Sequence, residues 1–185
     1  MLSLSGRAWL LDELLSIHLR YRVPSRIESH RAWQVLPDPL ALERAMLGQD
    51  PRGFKHEHQY RVPNAALREA ARLAALRWTD FFEPNTFDPI IALTREIQAA
   101  VVGLGDMWGY DAAERFAAHR GIVPEQFVYV QRVALAGAHS LRLRVVRGRI
   151  RYTDLPPKLH VLSAGDVEDF LCLNKARLNA AMLAE

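Results

Sequence analysis

Apolar and basic residues alternate along one segment of the chain, residues 141–152, which reads Leu-Arg-Leu-Arg-Val-Val-Arg-Gly-Arg-Ile-Arg-Tyr. A period of two is typical of a β-strand with one buried face. Arg147-Gly148 lies where a tight turn would fall, so the pattern predicts a β-hairpin over residues 141–152. One face of this hairpin is expected to be dry, and the other is expected to carry arginines.

The register of this hairpin depends on the length of its turn. With a two-residue turn, Val146 faces Arg149 and Arg144 faces Arg151, away from the apolar face. Such turns prefer Asn or Asp before Gly, because both turn positions need a positive φ, and an arginine is a poor first residue. A three-residue loop over residues 146–148 would instead put arginines on the apolar face. The clean separation of the two faces favours the two-residue turn.

Helical spacing and helix breakers predict the other elements. The expected helices cover residues 7–21, 39–47, 65–78, 90–102, 112–120 and 124–136, with a last helix that begins near Ser163. The first is expected to end before Pro24, since proline inside a helix removes a hydrogen bond. The fold class expected is mainly α with a β-hairpin (α+β), a helical bundle plus a basic hairpin. We expect a single domain over residues 1–185, with possible sub-regions 1–60 and 64–185.

Polar residues at the expected helix starts support these boundaries. Asp38, Asn64 and Asp88 are plausible N-caps, two of them followed by proline at the first helical position. Ser163 and Asp166 have the spacing of a capping box. These positions predict where three internal helices and the last helix begin.

Charge is distributed unevenly along a chain that is only mildly basic, with a formal net charge of +3. Six arginines and no acidic residue lie between Phe127 and Thr153. Like charges that face one another destabilise a sheet, so the arginine face should lie opposite negative charge. The candidates are a phosphate backbone, a protein partner with an acidic surface, or acidic residues of the chain itself at Glu168 and Asp169.

Composition excludes several classes of protein. Half of the residues are hydrophobic, which supports a sizeable core, and no apolar run is long enough to cross a bilayer, so we expect no membrane partner. The single cysteine, Cys172, excludes an internal disulfide and a multi-cysteine zinc site, and favours a reducing, cytoplasmic setting. His56, His58 and His30 are too weak a pattern to predict a metal site, so we expect neither a metal nor a cofactor.

Residues 112–152 resemble a winged helix-turn-helix. Two short expected helices flank a glycine turn at Gly121, and the basic hairpin follows in the position of the wing. The resemblance implies that the second helix enters the major groove of DNA, where Gln126, Tyr129 and Arg132 could reach base edges. The arginines of the hairpin would then contact phosphates.

Residues 82–137 also resemble the C-terminal helical part of the ABC1 (AarF-type) atypical kinase family. The likeness lies in Phe-Glu-Pro-Asn-Thr-Phe-Asp from Phe82, and in a helix opened by Pro124-Glu125 that carries an arginine and a glycine. The strand lysine, the His-Gly-Asp loop and the Asp-Phe-Gly motif of that family are absent. The resemblance therefore implies a non-catalytic scaffold, and no catalytic residue is expected.

These observations predict a non-catalytic nucleic-acid-binding protein, either a regulator or a subunit of a nucleoprotein assembly. The alternative is a protein–protein adaptor whose basic hairpin pairs with acidic residues. The partner could be DNA or RNA. The candidate binding residues are Arg132, Arg142, Arg144, Arg147, Arg149, Arg151, Gln126 and Tyr129.

Overall fold

The computed structural model describes residues 4–183, with side chains described for residues 9–179. It is mainly helical with a small antiparallel sheet, which confirms the expected fold class. The helices are α1 (Leu4–Ile17), α2 (Val23–Gln34), α3 (Asp38–Met46), α4 (Asn64–Leu76), α5 (Trp78–Phe82), α6 (Phe87–Ala100), α7 (Asp106–His119), α8 (Arg132–Ser140) and α9 (Ala164–Leu183). The strands are β1 (Phe127–Tyr129) and β2 (Arg149–Arg151).

The described chain divides into two compact units. The terminal unit contains the residues up to Arg26 and those from Pro124 onward, and the central unit is Ile27–Val123. The division falls at these two points rather than between residues 60 and 64. Within the terminal unit, α8 and β1 pack on α9, while the central unit is built around the packing of α7 on α3 and α6.

The first helix does not end before Pro24 as the sequence predicted. A π-helical turn, His18–Arg22, joins α1 directly to α2, and the N–H of Val23 donates to the carbonyl of His18. Pro24 follows as the second residue of α2. The hydrogen-bonding register changes in this wide turn, so Pro24 lies in the first turn of α2. A missing backbone N–H destabilises a helix least at that position.

The predicted N-caps lie one or two residues inside their helices. Pro37 and Pro63 are the N-caps of α3 and α4, so Asp38 and Asn64 are first helical residues. The Asp38 carboxylate instead lies 3.0 Å from Nε2 of His119, and the Asn64 side chain accepts a hydrogen bond from Lys55 Nζ at 2.9 Å. These side chains therefore form tertiary contacts within the central unit, and no side-chain cap forms.

The last helix begins as predicted. The Asp166 N–H donates to the Ser163 hydroxyl at 3.2 Å, and that hydroxyl also donates to the Asp166 carboxylate. Hydrophobic residues at helical spacing predict that one stripe of this helix, Val167, Phe170, Leu171, Asn174, Leu178 and Met182, faces inward, and Val167, Phe170, Leu171 and Leu178 are buried. Asn174 is half-buried, and the side chain of Met182 lies outside the described residues.

The helix predicted over residues 124–136 is wrong in its first half. Residues Phe127–Tyr129 form β1, and the helix begins only at Arg132. The run Phe-Val-Tyr-Val contains the aromatic and β-branched residues that favour strands, and its last three residues are buried. Burial on β2 thus outweighs the helix-start signal of Pro124-Glu125.

The predicted hairpin is right at its turn and wrong in its first strand. Val146 and Arg149 exchange two backbone hydrogen bonds of 2.9 and 3.1 Å, which confirms the two-residue turn. The first strand is absent because Arg142, at φ 53°, ends α8 in the left-handed conformation. The N–H groups of Arg142 and Leu143 donate to the carbonyls of His139 and Ala138, each at 2.9 Å, the pattern of a Schellman motif.

Candidate nucleic-acid interface

The two-stranded sheet has one face in the core and one face outward. Val128 pairs with Ile150 in the register, and both side chains are essentially fully buried. The neighbouring pairs, Phe127 with Arg151 and Tyr129 with Arg149, project to the opposite face because side chains alternate along a strand. This opposite face therefore carries the Phe127 ring and the guanidinium groups of Arg149 and Arg151, together with Tyr129, whose side chain is covered.

Burial along residues 141–152 follows the predicted alternation even where no strand forms. Leu143 and Ile150 are buried, while Arg144 and Arg151 are exposed. The apolar side chains of this segment pack against the core of the terminal unit. The period of two therefore predicted which side chains face inward, although the first half of the segment comes directly after α8 and forms no strand.

Four of the six predicted arginines converge on one cleft, which we call the arginine cleft. Its lining residues are Arg144, Arg147, Arg149, Arg151, Phe127, Val146 and Asp154. The cleft has a volume of about 420 Å³ and lies wholly within the terminal unit. The turn contributes to this convergence, since Arg147 at φ 52° and Gly148 at φ 71° reverse the chain within two residues.

The four guanidinium groups of the arginine cleft have no carboxylate partner within the described part of the chain. One of these groups makes a cation–π interaction, in which the Arg149 guanidinium carbon lies 4.7 Å from the centre of the Phe127 ring. Asp154 is the single carboxylate among the lining residues. The cleft therefore concentrates positive charge that the surrounding side chains do not neutralise.

Other arginines of the terminal unit pair with carboxylates. Arg22 Nε lies 3.3 Å from Asp169, and Arg26 Nη1 lies 3.1 Å from Asp166. Asp169, one of the two acidic residues that the sequence offered as partners for the basic hairpin, thus pairs with Arg22. Asp169 lies on α9 and contacts the π-helical turn through Arg22.

The remaining predicted binding residues lie outside the lining of the cleft. Arg132, Arg142 and Gln126 are exposed, and Arg132 is the first residue of α8. Tyr129 is only 2% exposed, so its side chain is not accessible for the predicted contact with a base edge. Its ring lies on the same face of β1 as that of Phe127 but is covered, whereas Phe127 is half-buried.

Three lining residues of the cleft are not among the predicted binding residues: Phe127, Val146 and Asp154. Phe127 was assigned to a helix, and the signal that could have found it is the alternation of Phe127 and Tyr129 with buried valines. Asp154 lies in a 3-10 turn that follows β2, and no local pattern marks it. Asp154 lies beside the cleft because its turn directly follows the end of β2.

The two helices of the helix-turn-helix resemblance fall in different compact units. Helix α7 belongs to the central unit and ends at His119, and Gly121, which follows the C-cap Arg120, has a φ of +67°, as expected for the predicted glycine stop. The segment after it belongs to the terminal unit and begins with β1. The predicted major-groove helix that starts at Pro124 is therefore replaced by a strand and the later helix α8.

The histidines do not assemble a metal centre. His30 contacts Glu114 at 3.0 Å, whereas Nδ1 of His56 accepts the N–H of His58. Among residues with described side chains, no group of three or more His, Cys, Asp or Glu could hold a metal ion. His58 lies 3.7 Å from the buried Asp111 carboxylate, which raises the pKa of His58.

Comparison with protein-family models, with curated proteins and with solved structures found no match to this chain. The resemblances of residues 82–137 to the ABC1 family and of residues 112–152 to a winged helix-turn-helix both stay predictions. Within residues 4–183, no helix is both long and apolar enough to cross a membrane.

Proposed function

We propose that this chain is a non-catalytic nucleic-acid-binding protein that contacts the phosphate backbone through the arginine cleft. The observation that carries the proposal is the convergence of four guanidinium groups that have no carboxylate partner among the residues that the structure describes. Guanidinium groups bind phosphate oxygens with two parallel hydrogen bonds, and their mutual repulsion is relieved when an anion lies between them. Such a protein would act as a regulator or as a subunit of a nucleoprotein assembly.

The exposed residues around the cleft extend the proposed surface. Arg132 and Gln126 flank β1, and Arg142 follows α8. Contacts of these side chains with sugar and phosphate would position the nucleic acid without reading its sequence. Affinity is then expected to fall steeply as salt concentration rises, since each neutralised phosphate releases a counterion.

The test is binding of the full-length protein to labelled double-stranded DNA, single-stranded DNA and RNA across a salt series. The double variant Arg144→Glu, Arg151→Glu is expected to weaken binding to the preferred nucleic acid at least tenfold and to reduce the slope of log affinity against log salt. Both side chains are exposed, so the variant is expected to fold like the native protein.

The matched control is the double variant Arg61→Glu, Arg68→Glu, which carries the same change in net charge. Both arginines are exposed, and they belong to the central unit rather than to the arginine cleft. An equal loss of binding in both variants would overturn the role of the cleft, because bulk charge would then explain it. Negligible binding to all three nucleic acids would overturn the function and favour an acidic protein partner.

A further inference from the structure

The shape of the arginine cleft distinguishes between kinds of nucleic acid. A volume of about 420 Å³ lies in the range of sites that enclose a small molecule. A duplex presents a broad, regular surface and could contact only the rim of such a cleft. A single strand can place an individual nucleotide inside it, because its bases are free to turn outward.

The floor of the cleft offers a stacking surface. Phe127 is half-buried on β1, and the Arg149 guanidinium lies 4.7 Å from the centre of its ring. Unpaired bases stack on aromatic side chains and on guanidinium planes, whereas the bases of a duplex already stack on one another. The Phe127–Arg149 pair combines both kinds of surface in one place.

Asp154 supports the same distinction. Asp154 is a lining residue of the cleft, and its negative charge disfavours a phosphate beside it. A carboxylate accepts hydrogen bonds from the N–H groups on base edges. In a single strand these edges are unpaired, and a nucleotide could turn its base toward Asp154 while its phosphate meets the exposed arginines.

We propose that the arginine cleft binds single-stranded nucleic acid, with a base stacked at the Phe127–Arg149 pair and its phosphate held by Arg144, Arg147 and Arg151. This inference rests on the proposed function and names the form of nucleic acid that the site selects. The shared chemistry is an unpaired base next to a phosphodiester, which single-stranded RNA and single-stranded DNA both supply.

The experiment compares labelled 12-nucleotide RNA and DNA single strands with duplexes of the same sequences at one salt concentration, by fluorescence anisotropy with full-length protein. Single strands are expected to bind at least tenfold more tightly than duplexes. Phe127→Leu keeps an apolar side chain but removes the ring, and it is expected to weaken single-strand binding about tenfold, the effect of losing one stacking partner. Duplex binding is expected to stay unchanged.

Phe54→Leu is the matched control, since Phe54 is an exposed phenylalanine with Arg52 5.5 Å from its ring centre, in the central unit. Phe54→Leu is expected to leave the affinity for single strands unchanged. Equal affinity for duplexes and single strands, or an unchanged affinity after Phe127→Leu, would overturn the inference. If either outcome were observed while the double variant Arg144→Glu, Arg151→Glu still lost its binding to nucleic acid, the proposed function would stand. The absence of any binding would overturn both.

Discussion

Gly137 on α8 packs directly against the backbone of Leu171 on α9, and a β-carbon added at Gly137 would lie 2.3 Å from the Leu171 carbonyl oxygen. Backbone atoms cannot move aside as a flexible side chain can. Gly137→Ala is therefore expected to destabilise the protein by about 1–3 kcal/mol, the usual cost of overpacking. Urea unfolding followed by circular dichroism measures this change.

The control for this prediction is Ala136→Gly, one residue earlier on the same helix. Helix propensity alone predicts that Ala136→Gly costs about 1 kcal/mol and that Gly137→Ala gains a similar amount. A loss of stability in both variants supports the contact between the helices. A gain of stability in Gly137→Ala would show that α8 and α9 do not pack this closely.

Replacement of Arg147 by asparagine is expected to stabilise the turn and weaken binding. Arg147 has a φ of 52°, and asparagine before glycine is the preferred pair for a two-residue turn in which both φ angles are positive. The expected gain in unfolding free energy is about 0.5–1 kcal/mol, since asparagine tolerates this conformation better. Measured on one preparation, the thermal unfolding temperature of Arg147→Asn should therefore rise, while its affinity for nucleic acid in the salt series should fall.

Acid is expected to destabilise the terminal unit through His18. This ring is 2% exposed, and neither of its nitrogens has a hydrogen-bond partner in the structure. Burial lowers the pKa of His18 below its usual 6.5, although Asp169 partly opposes the shift. The unfolded chain therefore binds a proton first, so the stability present above pH 6.5 is lost as pH falls toward the lowered pKa.

The measurement is the urea midpoint at pH 7.5 and at pH 5.5. His18→Phe preserves an aromatic ring against Phe170, whose centre lies 5.5 Å from that of His18, and it should reduce the loss of stability in acid. His139→Gln, at an exposed position on α8, should leave that loss unchanged. An acid response that is the same in the native protein and in His18→Phe would contradict the prediction.

The central unit is expected to depend on Asp111. Its carboxylate accepts hydrogen bonds from Gln59 at 2.8 Å and from Arg115 at 3.4 Å. Burial alone would raise the pKa of Asp111, but His58, Arg115 and Gln59 together lower it. Asp111→Asn leaves the buried Arg115 without a counter-charge and is expected to cost about 3 kcal/mol, at the lower end for a broken buried pair.

The pH response of this cluster has the opposite sign to that of His18. The Asp111 carboxylate, 3.7 Å from Nδ1 of His58, raises the pKa of His58, so the stabilising effect of His58 is present below pH 6.5 and is lost as pH rises through the raised pKa. His58→Gln is expected to flatten the stability profile above pH 6.5. A profile that keeps its slope there would show that His58 does not act through Asp111.

The sequence predicted the helical class, the inward and outward positions of residues 141–152 and the capping box at Ser163, because each follows from local periodicity or local hydrogen bonding. It failed at residues 127–129, where Pro124-Glu125 locally favours a helix and the partner strand lies about twenty residues away. Pairing over that separation is decided by burial of Val128 against Ile150, which no local pattern contains. The stack of Arg149 on Phe127 was missed for the same reason.

The chain order of the two compact units sets the order in which they can fold during synthesis. All of the central unit has been made once Val123 leaves the ribosome, whereas α1 packs on α9, which is made only after the whole central unit. At the usual rate of translation, this delay is on the order of ten seconds. During that interval the apolar side of α1, including Leu14 and Leu15, has no partner from α9 and is a natural target for chaperones.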